Sequence, residues 1–254
     1  MKIFVCVKHV PDTAANVNIV HGNNFDDSVK FVANPYDEYA IEEAIQIKEK
    51  NGGEIVAVSL GIEQASATVR LALAMGADRG IHIKTDALIV DTMTTAQALS
   101  KAIEQDGGAE LILTGKHSVD CEGMQTQYYL AQSLSLPVAT DVIDLALEEG
   151  TATVESDLGS GEVAILELDL PCVIGVTKGI NEPRLPKIPA IIKAKKKPIQ
   201  EIALKDLIPE KPAQRANLIS LTAAPDKGQA VLFEGSTAEV VDKFVEVLKE
   251  KALI

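Results

Sequence analysis

The chain has 254 residues, of which 46% are hydrophobic and 24% are charged, and this balance excludes wholesale disorder, a collagen-like fibre and a disulfide scaffold. Aromatic residues make up only 4% of the chain and Trp is absent, which argues against the aromatic stacking surfaces that bind single-stranded nucleic acid. The formal net charge of −13 would repel a phosphate backbone, so we expect no nucleic-acid partner.

Short apolar runs alternate with helical patterns through the first 135 residues. Strands are expected at residues 3–7, 55–60, 80–83 and 111–114, and an irregular polar segment at 11–32. Helices are expected near residue 37, after Gly61, at 89–105 and near 123–135. Asn34 and Asp37 flank the start of the first helix as candidate caps, and Gly52-Gly53 ends it. The pattern is typical of parallel strands joined by crossover helices.

This alternation predicts an α/β fold with a Rossmann-like, doubly wound, mostly parallel sheet. In such a fold, ligands bind beyond the carboxyl ends of the strands. The site is therefore expected where residues 6–9, 60–61 and 115–126 converge.

The pattern changes after Pro137. Alternating residues predict a β-meander over 142–147, 151–155 and 163–170, followed by a buried strand at 171–176. From Asn181 onward prolines accumulate and the periodicity fades, until a last helix at 237–250. We therefore divide the chain into an α/β domain at residues 1–190 and an extended C-terminal arm at 191–254.

Two glycine-containing segments resemble phosphate loops. Residues 159–164 match G-x-G-x-x-A, but a strand follows them instead of a helix, so a hairpin turn is the better interpretation. Residues 114–118, with the sequence TGKHS, lack the first glycine of a Walker A motif. They can still cradle a phosphate through backbone N–H groups, or they form a solvated loop between a strand and a helix. The residues alone leave both interpretations open.

No set of residues suggests a metal site or a catalytic centre. The histidines and cysteines lack metal-ligand spacing, and no G-x-S-x-G elbow or nucleophile–base set is present. Cys6, Cys121 and Cys172 lack a CxxC spacing and cannot all be paired, which is typical of reduced thiols in the cytoplasm. No apolar stretch approaches the roughly 20 residues that cross a bilayer, so we expect a soluble chain without membrane insertion.

A cluster of lysines lies near residue 190 in this acidic chain. It comprises Lys187, Lys193, Lys195, Lys196 and Lys197. Apolar residues at 185, 188, 191 and 192 and several prolines are interleaved with it. A solvated loop is the ordinary interpretation of a charge run, but an apolar tip rimmed by lysines favours a docking surface.

Several stretches together resemble the electron transfer flavoprotein β subunits. They are VCVKHVPD at 5–12, NPYDEYAIEEA at 34–44, ALAMGADRGIHI at 72–83, GKHSVD with QT at 115–126, and NEPRLPKIPAIIKAKKK at 181–197. The resemblance is colinear from residue 1 to about 207. It implies a domain related to the adenine-nucleotide α-hydrolases, which binds AMP structurally and pairs with an α subunit that carries the redox FAD.

The resemblance also implies the residues of the AMP site. These are Cys6, Asn34, Pro35, Tyr36, Asp37, Leu60, Gly115, Lys116, His117, Ser118, Val119, Asp120, Cys121, Glu122, Gly123, Met124, Gln125 and Thr126. They lie at the strand ends that the topology indicates. Gly115 would allow close approach of the backbone to the phosphate, and the loop amides at a helix start would hold it.

A partner-recognition loop is implied as well. It consists of Arg184, Leu185, Pro186, Lys187, Ile188, Pro189, Ala190, Ile191, Ile192 and Lys193. Ile188 stands where the family inserts an aliphatic side chain into acyl-CoA dehydrogenases. The implied role is that of an electron carrier subunit, without catalytic residues of its own, that passes electrons toward a flavoprotein-quinone oxidoreductase. The C-terminal arm would pack on the α subunit.

Two departures from the family bear on the ligand. Residues 120–126 lack the run DGDTAQVG of members that bind a second FAD and oxidise NADH. Glu122 adds charge and Met124 adds bulk there, which favours AMP, with the electron-bifurcating FAD form as the alternative. Thr13 replaces a Tyr found near the flavin in some members, which leaves flavin contact from residues 11–13 open. A stand-alone nucleotide-binding module of the stress-protein type is a third hypothesis.

Overall fold

The structure is a computed structural model that describes residues 1–15, 18–20, 24–25, 28–209, 218–223 and 228–254. Its strands are β1 (Lys2–Cys6), β2 (His9–Pro11), β3 (Ile19–Val20), β4 (Asn24–Phe25), β5 (Phe31–Ala33), β6 (Glu54–Gly61), β7 (Arg79–Lys84), β8 (Leu111–Gly115), β9 (Val138–Glu148), β10 (Thr151–Gly159), β11 (Glu162–Asp169), β12 (Cys172–Val176) and β13 (Ile199–Ala203). Its helices are α1 (Pro35–Asn51), α2 (Ser66–Met75), α3 (Thr92–Gln105), α4 (Thr126–Leu134), α5 (Ile188–Ala194), α6 (Leu204–Leu207) and α7 (Thr237–Glu250), with a 3-10 turn at Glu63–Ala65 before α2.

Nine strands form one sheet in the order β11-β10-β9-β12-β8-β1-β6-β7-β13. Neighbouring strands are parallel from β9 through β12, β8, β1, β6 and β7 to β13. At the other end of the sheet, β10 and β11 add an antiparallel meander next to β9. The predicted Rossmann-like, doubly wound fold with a β-meander is therefore confirmed. After β7 the chain returns to the other side of β1, so the topological switch lies between β1 and β8.

Helices cover both faces of the parallel sheet. Ile3 and Val5 of β1 belong to a core cluster that includes residues of α1 and α2. Phe4 and Cys6 point to the other face and belong to a cluster with residues of α3 and α4. Strands that are buried on both faces read as continuous apolar runs, which is why β1 could be recognised from sequence. Because both faces are covered, a ligand is expected at the carboxyl ends of the strands.

The start of α1 differs from the expected capping. Asn34 is the N-cap residue, but its side chain makes no capping hydrogen bond to the helix backbone. Its amide instead donates to the Asp37 carboxylate (2.9 Å) and to the His117 carbonyl (2.9 Å), and its oxygen accepts from the Val119 N–H (3.1 Å). The two polar residues therefore tie the helix start to the loop after β8.

The irregular segment expected at residues 11–32 contains paired strands in its described part. β2 and β5 form an antiparallel ribbon in which His9 lies opposite Ala33. The His9 ring stacks on Phe31 with ring centroids 5.0 Å apart. Residues 16–17, 21–23 and 26–27, which the expectation also covers, lie outside the described residues.

The sheet continues beyond residue 190. β13 pairs in parallel with β7, with Ile199 opposite Gly80, and forms the edge of the sheet. The division between residues 190 and 191 stays a prediction, but the polypeptide from 199 to 203 is part of the same sheet as β1. Sequence periodicity missed this strand because it is short and half exposed on an edge.

The last helix lies where the sequence predicts it, at 237–250. Ser236 and Glu239 form a capping box, in which the Ser236 N–H donates to the Glu239 carboxylate at 2.8 Å. None of the residues of α7 is buried, although Val241 and Phe244 are apolar. The helix thus has an apolar face that the described part of this chain does not cover.

Candidate functional site

A cavity opens at the carboxyl edge of the sheet, at the switch between β1 and β8. Cys6, Leu60 and Thr114 line it from the ends of β1, β6 and β8, and the loop at residues 115–126 closes its other side. Strand ends at a topological switch diverge, and the crevice between them is the usual ligand site of this fold. The cavity therefore lies where the topology argument placed it.

Most residues of the predicted AMP site line this cavity. They are Cys6, Asn34, Asp37, Leu60, Gly115, His117, Ser118, Asp120, Cys121, Gly123, Met124, Gln125 and Thr126. Pro35, Tyr36, Lys116, Val119 and Glu122 do not line it. The Lys116 ammonium pairs with Asp141 at 3.1 Å, and the Tyr36 ring contacts His117 with centroids 4.4 Å apart, so both support the loop from outside. Glu122 is exposed and is not among the lining residues, so the charge that was expected in the site is not part of the cavity wall.

Sequence reasoning missed several lining residues. They are Val58, Ala87, Leu88, Ile89, Val90, Thr92, Thr95, Leu99, Thr114 and Gln127, whereas Val7, Lys8 and Gly61, which also line the cavity, lie in the stretches 6–9 and 60–61 that the topology indicated. Residues 87–90 follow β7 and were assigned in part to the start of a helix at 89, although α3 begins only at Thr92. The rule that ligands meet the loops after parallel strands would have found them.

The loop between β8 and α4 has a backbone suited to an anion. Glu122 and Met124 adopt left-handed φ angles of 48° and 52° on either side of Gly123. Left-handed residues beside right-handed ones can turn successive N–H groups toward one concave side that binds an anion; here the Glu122 N–H is already donated to the Ser118 carbonyl (2.8 Å), which leaves the N–H groups that follow it. The loop runs into the first turn of α4, whose N-terminus also favours negative charge.

One ammonium group faces the cavity. Among the described residues that line it, Lys8 is the one Lys or Arg. Its Nζ donates to the Asp120 carboxylate (2.8 Å), the Ser118 hydroxyl (3.2 Å) and the Cys121 sulfur (3.5 Å). Burial alone would lower the pKa of Lys8, but the charge of Asp120 raises it, so the side chain is a cation at the loop.

Two polar atoms at the cavity have no hydrogen-bond partner in the described part of the chain. The Thr114 hydroxyl and Nδ1 of His117 are both buried, and both residues line the cavity. Buried polar groups in native proteins are nearly always hydrogen-bonded, so such atoms point to a ligand or water with complementary groups. A nucleotide, with its hydroxyl and phosphoryl oxygens, has the groups that these atoms need.

Gly115 packs closely against the start of α1. A Cβ atom there would lie 2.5 Å from an Asp37 oxygen and 2.6 Å from the Tyr36 Cβ. The end of β8 therefore approaches the start of α1 closely, and close approach of the Gly115 backbone to a phosphate stays a prediction. The thiol of Cys6 at the end of β1 is buried, and burial raises its pKa, so it stays a neutral thiol.

Asp37 connects three segments behind the cavity. Its carboxylate accepts hydrogen bonds from the Lys8 N–H (2.7 Å), the Asn34 amide (2.9 Å) and the Gly115 N–H (3.2 Å). Burial raises the pKa of Asp37 to about 7, although these hydrogen bonds oppose the rise. The carboxyl therefore changes its charge near neutral pH.

We expect Asp37→Asn to flatten the pH dependence of folding stability. The folded carboxyl holds its proton to higher pH than the unfolded one, whose pKa is about 4. The folded state thus binds more protons between about pH 4 and 7, and the free energy of unfolding falls as the pH rises. The stability of wild type relative to Asp37→Asn should fall over this window by the order of a few kcal/mol. Urea unfolding of both proteins at pH 5 and 8 measures it, and parallel profiles would contradict the assignment.

The predicted recognition loop is partly helical. Residues 188–194 form α5, with Pro189 in its first turn, because proline fixes φ at a helical value where no N–H bond is needed. Arg70 donates to the carbonyls of Ala194 (2.6 Å) and Lys197 (2.8 Å) and so holds the end of this helix. The predicted recognition segment at 184–193 therefore begins with a non-helical strap at residues 184–187 and continues into the short helix α5, whose end Arg70 holds.

The two ends of the recognition segment differ in character. Arg184 donates to Glu42 (2.8 Å) and Glu49 (2.6 Å) of α1, so it anchors the strap to the domain. Leu185 and Ile188 are 89% and 74% exposed, and Ile191 and Ile192 are exposed as well. Lys197 is turned inward and donates to the Leu73 carbonyl (3.0 Å) at the end of α2. The exposed tip therefore combines aliphatic side chains with Lys187, Lys193, Lys195 and Lys196.

The described ranges contain neither a metal-binding cluster nor a membrane-spanning helix. No group of three or more His, Cys, Asp or Glu side chains there is placed to hold a metal ion. Within the same ranges, no helix is both long enough and apolar enough to cross a membrane. The cavity at the β1/β8 switch and the recognition segment are the two features that the function must explain.

These features define the class as a Rossmann-like α/β protein with a ligand cavity at its topological switch. A family model described as "Electron transfer flavoprotein domain" matches residues 23–207. The chain is 38% identical to the electron transfer flavoprotein subunit beta of Bacillus subtilis over 258 aligned residues, covering all of both proteins. It is 35% identical to the human protein of that name, covering 97% of this chain and 98% of the relative.

A third relative carries a different name. The chain is 32% identical to subunit CarD of the caffeyl-CoA reductase–Etf complex of Acetobacterium woodii, over the full length of both proteins. Together with the family match, this whole-length similarity shows that the chain belongs to the family of electron transfer flavoprotein β subunits.

Proposed function

We propose that this chain is the β subunit of a heterodimeric electron transfer flavoprotein, that it binds AMP in the cavity at the β1/β8 switch, and that it supports the FAD of the α subunit. The observation that carries the proposal is the whole-length similarity to β subunits, combined with a cavity at the strand ends. Because its three cysteines are free, we place the complex in the cytoplasm, where thiols stay reduced.

The cavity offers complementary groups to each part of a nucleotide. The loop backbone at residues 123–124 and the start of α4 would hold the phosphate. The Lys8 ammonium, which donates to Ser118, Asp120 and Cys121, would contribute its positive charge. The Thr114 hydroxyl and His117 Nδ1 would hydrogen-bond polar atoms of the ligand. Apolar side chains at 60 and 88–90 would pack on the base.

Electron transfer itself needs little chemistry from this chain. FAD supplies the redox chemistry when it is bound by the complex. We assign no acid, base or nucleophile to the chain, which would act by binding and positioning. The uncovered apolar face of α7 supports the proposal that the C-terminal arm packs on the α subunit.

The exposed tip of the recognition segment fits a docking role. Ile188 and its aliphatic neighbours would enter an apolar socket on an acyl-CoA dehydrogenase, and the lysines around them would face acidic residues at its rim. The Arg184 anchor to α1 would hold the segment ready for the partner. Electrons would then pass toward a flavoprotein-quinone oxidoreductase.

A second candidate function is electron bifurcation, with a second FAD in place of AMP and NADH as electron donor. The similarity to a subunit of a caffeyl-CoA reductase–Etf complex favours it. Met124, which lines the cavity and is bulky, favours the smaller AMP. We therefore retain AMP as the first choice.

The choice of electron donor tests the proposal. The full chain is co-expressed with its α subunit, and the flavin absorbance of the complex is followed under anaerobic conditions. We expect a reduced acyl-CoA dehydrogenase to reduce the flavin and NADH to leave it oxidised. Reduction by NADH, together with two FAD per pair of subunits, would replace the proposal with the bifurcating one.

A further inference from the structure

Gln127 is a buried polar residue that neither the predicted site nor the proposed function uses. It is 3% exposed and lies in the first turn of α4, at the border of the cavity. Its amide Nε2 donates to the Lys116 carbonyl at 2.9 Å and to the Met124 carbonyl at 3.3 Å. These two carbonyls stand at opposite ends of the loop that follows β8. One amide group therefore joins both stems of the loop.

The hydrogen bond to the Met124 carbonyl is made to a residue whose backbone is strained. Met124 has a left-handed φ of 52°, and Glu122 nearby has one of 48°. A left-handed conformation is unfavourable for a non-glycine residue, so surrounding contacts must hold it in place. The bond from Gln127 is made directly to the carbonyl of such a residue, so it opposes the relaxation of Met124 to an ordinary conformation.

The rest of the loop is held from other elements. Asn34 binds the His117 carbonyl and the Val119 N–H, and Lys8 binds Ser118 and Asp120. Within the loop, the Glu122 N–H donates to the Ser118 carbonyl at 2.8 Å. Asn34 and Lys8 thus support residues 117–120, whereas Gln127 supports Met124 and the stem at Lys116. Loss of Gln127 should therefore affect the anion-binding part of the loop first.

We propose that Gln127 is a positioning residue that holds the loop at 116–125 in the conformation that binds the nucleotide phosphate. This inference rests on the proposed function, because it assumes that AMP occupies the cavity. Gln127 does not touch the ligand in this account. It fixes the backbone whose N–H groups do so, and it therefore acts on how long the nucleotide stays bound.

The test compares Gln127→Leu with Gln132→Leu in the complex with the α subunit. Gln132 is an exposed residue of the same helix, so it controls for the loss of a helical glutamine. The complex is loaded with radiolabelled AMP, and release is followed in an excess of unlabelled AMP. We expect Gln127→Leu to release AMP roughly ten-fold faster than wild type, because the Lys116 and Met124 carbonyls lose the hydrogen bonds that hold the loop. Gln132→Leu should behave as wild type.

A second-site change separates positioning from packing. Glycine adopts left-handed φ angles at no steric cost, so Met124→Gly in the Gln127→Leu background should slow the release of AMP to that of the Met124→Gly single variant, which is the reference because Met124 lines the cavity. If Gln127 only stabilised the packing of α4, removing the side chain of Met124 would not slow the release of AMP. If Gln127→Leu fails to fold, Gln127→Asn takes its place, because its shorter amide keeps polarity but cannot reach both carbonyls.

The outcomes are distinct. Unchanged AMP release in the Gln127 variants, or fast release that Met124→Gly does not slow, would overturn the inference while the proposed function stands. A wild-type complex that holds no adenine nucleotide would overturn the proposed function and this inference with it.

Discussion

Gly115→Ala should destabilise the protein by about 2–3 kcal/mol, which is the usual cost of forcing an extra carbon into a closely packed site. The new methyl carbon would stand 2.7 Å from the backbone carbon of Tyr36 and closer still to an Asp37 oxygen. The end of β8 and the start of α1 would have to move apart, which also strains the hydrogen bond from the Gly115 N–H to Asp37. Since a domain of this size loses about 2–4 °C per kcal/mol, thermal unfolding should begin roughly 4–12 °C earlier.

Gly123→Ala is the matched control. Gly123 lies in the same loop, and no atom lies within 4 Å of the position that its Cβ would occupy. This variant should melt within a degree or two of wild type, because surface changes usually alter stability by less than about 0.5 kcal/mol. If Gly115→Ala melts like wild type but loses AMP, the methyl group lies in the ligand cavity and not against α1.

Ile188→Ala should weaken the complex with an acyl-CoA dehydrogenase by roughly 5- to 150-fold. Ile188 is 74% exposed in the free chain, so its burial by a partner would contribute on the order of 1–3 kcal/mol. The measurement is steady-state electron transfer from reduced dehydrogenase, with KM determined for the flavoprotein. Ile165→Ala is the control, because Ile165 is 70% exposed but lies on β11 at one edge of the sheet.

The lysines near Ile188 should act through charge alone. Replacing Lys193, Lys195 and Lys196 with Gln should raise KM at low ionic strength and have little effect at high salt, because rim charges mainly steer encounter. AMP and FAD content should be unchanged in these variants and in Ile188→Ala. An unaltered KM with lost flavin in Ile188→Ala would place the segment beside the cofactor and contradict the docking role.

The sequence predicted the fold well wherever the signal was local. Continuous apolar runs such as 3–7 identified strands buried on both faces, and the last helix was predicted at 237–250, where α7 lies. β13 was missed because its edge position leaves Gln200 and Glu201 exposed, and only its pairing with β7 makes it a strand of the sheet. The short helix α5 was missed for a related reason, since its end is held by Arg70 from a distant helix.

The location of the cavity could be predicted, but the contacts of the residues around it could not. Topology and resemblance both indicated the strand ends at Cys6, Leu60 and Gly115, and all three line the cavity. The role of Gly115 depends on how closely α1 approaches β8, which no spacing in the sequence reveals. Lys8 contacts Asp120, which is far from it in sequence. Gln127 contacts Met124 only because the loop folds back on the start of α4. Neither contact could be predicted from spacing.

The nucleotide content of the purified complex tests the central claim most directly. The chain is co-expressed with its α subunit, the bound nucleotides are released with acid, and AMP and FAD are quantified by chromatography against protein concentration. We predict one AMP and one FAD per pair of subunits. Two FAD without AMP, or a single FAD with no adenine nucleotide bound by this chain, would contradict an AMP site at the switch between β1 and β8.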